Sequence, residues 1–264
     1  MATNPNNGPL TGRRILVSRP EPKATETCEA LEQAGASTQA LPLIEIEPQP
    51  LDGRQRSLIQ DLDNFGKVIA VSPNAARLLL AHADEWWPQW PVALEWWGPG
   101  EGTAKVFRDA GLPGQAPASG HNSEALLDCD AFQPEAVAGA RILIARGDQG
   151  RELLVNTLTE RGARPEVLPL YERAPIEWPE TTLLQRLTRF DPDTVLVLSG
   201  ETLKHLLEVG QNTDAKLRER RLVVPAERVA QQAREAGFRD VRVAAAMTPD
   251  GLIDACTASP SDAE

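Results

Sequence analysis

The sequence predicts an α/β protein of two similar lobes, each a parallel sheet flanked by helices, joined by a two-strand linker with a cleft between them. Three observations predict it. The chain states one pattern twice: Arg14-Ile15-Leu16-Val17-Ser18-Arg19 returns as Arg141-Ile142-Leu143-Ile144-Ala145-Arg146, Gly35 as Gly162, and Leu41-Pro42-Leu43 as Leu168-Pro169-Leu170. The repeat continues through Val71-Ser72 and Leu198-Ser199, then Ala110-Gly111-Leu112 and Ala236-Gly237-Phe238, then Leu126-Leu127-Asp128 and Leu252-Ile253-Asp254. Its period exceeds the roughly 20–50 residues of a solenoid unit, so it reads as two copies of one lobe. Short apolar runs alternate with helical spacing, the order of parallel sheets covered on both faces. Finally, two proline-bearing extended stretches stand at corresponding places, as two crossings between lobes would.

In chain order, Arg14–Ser18 reads as a strand stopped by Arg19-Pro20. Ala24, Cys28 and Leu31 give residues 21–33 helical spacing, and Gly35 is placed to end that helix. Residues 39–46 are extended, and Pro42 argues for an edge or linker strand there. A strand at Lys67–Val71 meets Ser72-Pro73-Asn74 and a helix through Leu80. A strand at Val92–Trp97 meets Gly98-Pro99-Gly100-Glu101-Gly102-Thr103 and a helix ending near Gly111. A short strand at Gln115–Ala118 and a helix from Ser123 close the first block. The second copy reads as strand 141–145, helix 150–161, extended 164–174, strand 194–198, helix 201–208, strand 221–224, helix 226–236, strand 241–245 and helix 249–256. The order A, B, A′, B′ leaves open which halves share a lobe.

With 264 residues, 41% hydrophobic and 25% charged, the chain has the length and composition of two globular domains. No stretch approaches the roughly 20 apolar residues of a membrane span. Residues 1–12 are polar and lack the apolar core of a signal peptide, so a soluble, cytoplasmic protein is expected. Cys28, Cys129 and Cys256 lack CxxC spacing, which favours buried thiols over disulfides or zinc. A net charge of −11 argues against nucleic acid but not against a small anionic ligand in a locally positive pocket. No metal site or cofactor motif is present, and a monomer is expected.

Ligands of such sheets sit beyond the carboxyl ends of the strands. Those ends carry the candidate residues. The loop from Gly98 to Ala104 is not GxGxxG and has no Walker lysine. Its glycines before a helix nevertheless leave backbone N–H groups to meet an anion, with Gly100, Gly102 and Ala104 as contacts. Ser72 with Asn74, and Ser199 with Gly200 and Thr202, occupy equivalent turns, either as helix caps or as caps that also touch a ligand. Neither serine lies in GxSxG, and His82, His121 and His205 are poorly placed as bases, which disfavours a serine nucleophile. Arg146, Gly147 and Arg151 surround another turn, where the arginines suit carboxylates or simply pair with Asp148 or Glu152. Tyr171, the only tyrosine, lies on the second crossing stretch and could donate a proton, or merely pack at a joint. The tryptophans at 86, 87, 90, 96 and 97 read as a local core or contact patch.

Taken together, Arg19-Pro20 after the first strand, Ser72-Pro73-Asn74-Ala75, Gly100-Glu101-Gly102-Thr103-Ala104, Leu143-Ile144-Ala145-Arg146-Gly147 with Gly150-Arg151, and Leu170-Tyr171-Glu172-Arg173 resemble the uroporphyrinogen-III synthase family over residues 13–256. The resemblance implies flavodoxin-like lobes paired by swapping. Residues 13–40 with 175–256 would form one, residues 51–164 the other, and 41–50 and 165–174 the linker strands, between disordered tails 1–12 and 257–264. It also implies a cofactor-free lyase that closes hydroxymethylbilane with loss of water and inversion of ring D. Under it, Tyr171 is the candidate general acid and Thr103 a catalytic hydroxyl. Arg19, Ser72, Asn74, Gly100, Gly102, Ala104, Arg146, Gly147, Arg151, Ser199, Gly200, Thr202 and Val229 would hold the substrate.

Two departures stand out: Ala226-Glu227-Arg228-Val229-Ala230 lacks the hydroxyl expected of its motif, and Glu201 places an acid at a carboxylate-binding turn. They motivate two rivals to the enzyme, a cytosolic two-lobed anion- or tetrapyrrole-binding protein and a family member without activity.

Overall fold

A computed structural model describes residues 8–120, 122–150, 152–211 and 216–257. The chain divides into two compact units, unit 1 from residues 1–45 with 174–264 and unit 2 from residues 46–173. Its elements begin with β1 (Arg14–Val17), α1 (Lys23–Gln33), β2 (Ser37–Ala40) and β3 (Ile44–Pro48). Next come α2 (Gly53–Gln60), β4 (Lys67–Ala70), α3 (Pro73–Ala83), β5 (Glu95–Trp97), α4 (Glu101–Asp109) and β6 (Gly114–Gln115). These lead to α5 (Ser123–Asp128), α6 (Pro134–Val137), β7 (Arg141–Gly147), α7 (Leu153–Glu160) and β8 (Arg164–Pro175). The last are α8 (Glu180–Leu183), β9 (Thr194–Leu196), α9 (Gly200–Gln211), β10 (Arg221–Val224), α10 (Glu227–Glu235), β11 (Asp240–Val243) and α11 (Pro249–Thr257).

In unit 1 the strand order is β11-β10-β9-β1-β2, with every neighbouring pair parallel. Alternation along β1 sends Leu16 to one face, with Val229 and Ala230 of α10, and Ile15 and Val17 to the other, with Leu31 of α1 and Leu252 of α11. Both faces are therefore covered, and each buried Leu or Val contributes about 1.5–3 kcal/mol. Unit 2 repeats the logic in the order β3-β8-β7-β4-β5-β6. Val68 and Ala70 of β4 pack with α3 and α4, while Ile69 packs with Phe132 and Leu154. Of the tryptophans, Trp96 is fully buried between Trp90 and Phe107, Trp97 meets Phe132 on the other face, and Trp87 and Trp90 pack partly buried on the core, whereas Trp86 is exposed.

Several elements differ from the sequence expectation. The strand expected at 92–97 starts at Glu95, because Leu94 N–H turns back to Pro91 C=O and Val92 is wholly exposed. Residues 39–46 form two strands, since β2 ends at Ala40 and β3 begins at Ile44, with Pro42 in the break. In β8, Pro165 and Pro169 are tolerated because its neighbours use different halves. β7 pairs with Arg164 to Tyr171, while the bonds Gln49 N–H to Leu170 C=O and Ile176 N–H to Leu43 C=O run β3 antiparallel along the later half. Pro165 and Pro169 thus owe no N–H to β3. Helix α2, absent from the sequence reading, has a capping box between Asp52 and Gln55. Residues 8–12, expected in a disordered tail, are held by Leu10, which is completely buried and donates its N–H to Ala34 C=O at 3.0 Å.

Candidate functional site

In unit 2 the candidate residues gather where β4, β5 and β7 end, beside Tyr171 within β8. Ser72 caps α3, accepting the Ala75 N–H at 3.1 Å, and its Oγ lies 3.2 Å from the Tyr171 hydroxyl. Tyr171 is brought there by an irregularity in the β7–β8 ladder. Arg146 pairs with Pro169 but Gly147 pairs with Tyr171, so β8 gains one residue at that point. The Tyr171 ring then lies against Gly147, where a Cβ would come within 2.8 Å of it. Only glycine admits this approach. Asp148 N–H closes the turn on Tyr171 C=O at 2.8 Å.

Next to this pair stands the start of α4. Gly100, its N-cap, gives no side-chain cap, and the N–H groups of Thr103 and Ala104 return to its carbonyl at 3.1 and 3.2 Å. The Ala104 N–H is thus committed to the helix, leaving those of Glu101 and Gly102 as the outward-facing donors of the turn. Thr103 is buried with its methyl side on Gly98, where a Cβ would lie 2.7 Å from Thr103 Cγ2. Gly102 approaches Pro73 of α3, so the two helix starts are neighbours.

Other candidates in unit 2 are engaged locally. Arg146 bonds Glu152 at 2.7 Å, and Asn74 Oδ1 accepts Arg77 Nη1 at 3.1 Å. Arg151 and His121 lie outside the described residues.

In unit 1, Ser199 Oγ accepts the Thr202 N–H at 3.0 Å and lies 2.8 Å from the Thr202 hydroxyl, a closed cap on α9. Gly200 faces Gln232 and Arg228 of α10, with its position for a Cβ 2.9 Å from Gln232 Oε1. Those two residues were missed in the sequence, although their i, i+4 spacing places them on one helix face. Val229 is buried in the first turn of α10, among the apolar residues of that face. Arg19, after β1, donates from Nη1 to Thr27 Oγ1 at 2.8 Å. Burial lowers its pKa, opposed by Glu26.

The thiols offer no nucleophile. Burial raises Cys28 and Cys129 and pushes Cys256 up to about 12, so all three stay protonated near neutrality. Among the described residues no cluster of His, Cys, Asp and Glu could hold a metal, and no helix is long and apolar enough to cross a membrane. What unit 2 assembles at this edge is a hydroxyl pair beside two helix N-termini, groups whose chemistry could pass one proton and attract an anion.

Comparison with known proteins bears on what that edge does. Residues 25–254 match the family model described as uroporphyrinogen-III synthase HemD. The chain is 33% identical over 251 residues to the uroporphyrinogen-III synthase of Salmonella typhimurium, covering 91% of this chain and 98% of that protein. It is equally 33% identical over 250 residues to the Escherichia coli K12 protein of that name, with the same coverage. Among solved structures, a mutant uroporphyrinogen III synthase from Thermus thermophilus superposes with a TM-score of 0.57 at 17% identity, over 91% of this chain and 96% of that one. The Helicobacter pylori uroporphyrinogen-III synthetase also gives 0.57, at 16% identity over 92% and 97%. At those identities the structures speak for the two-sheet fold alone.

Proposed function

The chain belongs to the uroporphyrinogen-III synthase family, and from that premise we propose that it closes hydroxymethylbilane to uroporphyrinogen III through a proton supplied by Tyr171. The observation that carries the reaction is the family match from residue 25 to 254, and the Ser72–Tyr171 hydroxyl pair supports the proton donor.

The terminal hydroxyl of the bilane must leave as water, taking one proton. The pyrrole electron pair that expels it leaves an azafulvene cation on ring A. Ring D attacks that methylene through its substituted carbon, giving a spiro-pyrrolenine. Cleavage of the old bond to ring D and its re-formation at the free carbon invert the ring. The proton then lost returns to the donor, so the net change is one water.

Tyr171 suits that task. Ser72 Oγ already accepts the Ala75 N–H, so its own proton is free to be donated to Tyr171 Oη. The phenolic O–H then points to the substrate, and the bond from Ser72 steadies the oxygen as its proton leaves. General acid assistance of this kind contributes about 10²–10⁴-fold. The substrate's eight carboxylates suit the starts of α3, α4, α9 and α10, each favourable charge there being worth about 0.3–1 kcal/mol. Holding the chain end against ring D matters more, since spontaneous closure proceeds without inversion. Positioning contributes up to about 7–11 kcal/mol in ideal cases.

In this reading residues 41–50 and 165–174 are the crossings between the lobes 13–40 with 175–256 and 51–164. The protein works as a cytoplasmic monomer, without metal, cofactor or nucleic acid. The test is isomer analysis: incubation with fresh hydroxymethylbilane, oxidation, and chromatographic separation of type I from type III uroporphyrin. Type III product is expected; type I alone at the uncatalysed rate would leave only the binding-protein reading.

A further inference from the structure

We propose that Gln55, in the first turn of α2, is a positioning residue that fixes Tyr171 for proton transfer, an inference that rests on the reaction above, in which Tyr171 is the donor. A strand alternates its faces, so regular pairing would send Leu168 and Leu170 to one face and residue 171 to the other. Here Leu168, Leu170 and Tyr171 are all buried in one cluster with Ala70 and Ala145. The change of face comes at Leu170, which has no counterpart on β7 between the pairs Arg146–Pro169 and Gly147–Tyr171. Were Leu170 to pair with Gly147, regular alternation would turn Tyr171 to the opposite face, away from Ser72.

Three successive carbonyls hold this register. Pro169 C=O accepts from Gln55 Nε2 at 2.9 Å, Leu170 C=O from Gln49 N–H at 2.9 Å, and Tyr171 C=O from Asp148 N–H at 2.8 Å. Two of those donors are backbone groups, and only Gln55 donates from a side chain. Its amide is held in one orientation, because Oε1 accepts the Asp52 N–H at 2.7 Å while Nε2 serves Pro169. Turned over, it would set donor against donor and acceptor against acceptor. The Gln55 N–H in turn donates to Asp52 Oδ1 at 2.7 Å, which closes the capping box. Gln55 thus ties a fixed helix start to the residue just before the irregularity. Removing its donor leaves the Pro169 carbonyl short of a partner and weakens the register that presents the phenol to Ser72.

The test is Gln55→Glu, set against Asp52→Ala. Glutamate still accepts the Asp52 N–H and suits a helix start, but its carboxylate has no proton for Pro169 C=O. Alanine at position 52 removes the cap and leaves the Gln55 amide its bond to Pro169. Steady-state turnover of hydroxymethylbilane, a thermal melt and NMR of tyrosine labelled at Cζ are read on each. Tyr171 is the only tyrosine, so the label gives one resonance. Gln55→Glu melts close to the wild type, lowers kcat about three- to tenfold with KM within about twofold, and moves the tyrosine resonance. Asp52→Ala melts lower, with kcat within about twofold and the resonance in place. Wild-type kcat and an unmoved resonance in Gln55→Glu would overturn the proposal. So would an equal loss of kcat in both variants, which would make α2 a structural support alone. If the wild-type protein yields only type I product, the reaction fails instead, while the resonance still judges the positioning.

Discussion

In unit 2 the chain leaves β5, passes through Gly100 at φ −166° and ψ 169°, and starts α4; in unit 1 it leaves β10, passes through Ala226 at φ −163° and ψ 156°, and starts α10. The hydrogen bonds agree as well: Thr103 and Ala104 return to Gly100 C=O, and Val229 and Ala230 to Ala226 C=O, all within 3.0–3.2 Å. Thr103 is 4% exposed and Val229 2%. Valine fills the threonine's place and loses only the hydroxyl. The extended backbone at the cap suits any residue, which is why alanine can replace glycine there.

The serine caps diverge in the same direction. Ser72 passes its hydroxyl on to Tyr171, whereas Ser199 turns to Thr202 within its own cap. The duplication has thus kept the same helix starts in both units, while only in unit 2 does the capping serine meet a tyrosine hydroxyl. Under the proposed function, unit 1 holds substrate, whereas unit 2 holds it and supplies the proton.

The harshest way to break this comparison is Gly147→Ala. The new methyl would meet the buried Tyr171 ring at 2.8 Å and push it from Ser72. Overpacking of this kind costs about 1–3 kcal/mol of stability. Displacing the donor by an ångström or less should lower kcat more than about tenfold, read by turnover beside a thermal melt. Next, Thr103→Val gives unit 2 the first turn that unit 1 already has. The protein should melt as before and turn over about three- to tenfold more slowly, the worth of one hydrogen bond. Unchanged turnover would make the hydroxyl incidental. The mildest change is Val229→Thr, which restores the hydroxyl in unit 1. Because it enters an apolar cluster, it should cost about 1–2 kcal/mol in denaturant unfolding and change turnover by less than about twofold. A marked gain in turnover would mean that unit 1 had lost a catalytic group.

Much of this was legible in the sequence because it is local. Ile142-Leu143-Ile144-Ala145 announces a strand buried on both faces, and Ser72-Pro73 announces a helix start. Asp52 and Gln55 carried a legible capping signal for α2 that went unread. What could not be read depends on contacts far apart in the chain. The meeting of Ser72 with Tyr171 needs the extra β8 residue opposite Gly147, and nothing in the repeat marks it. The exposure of Val92 is similar: its apolar neighbours suggest a strand, and only the turn closed on Pro91 removes it from the sheet. The contacts of Arg228 and Gln232 with Gly200 depend on how α10 packs beside α9.

The most direct measurement is single-turnover conversion of hydroxymethylbilane by Tyr171→Phe beside the wild type, with a thermal melt of each. If the reactive hydroxyl pair lies in unit 2, the variant folds normally, still gives type III product, and reacts at least about tenfold more slowly. A folded variant that matches the wild-type rate would remove Tyr171 as the proton donor and, with it, the division of labour between the two units.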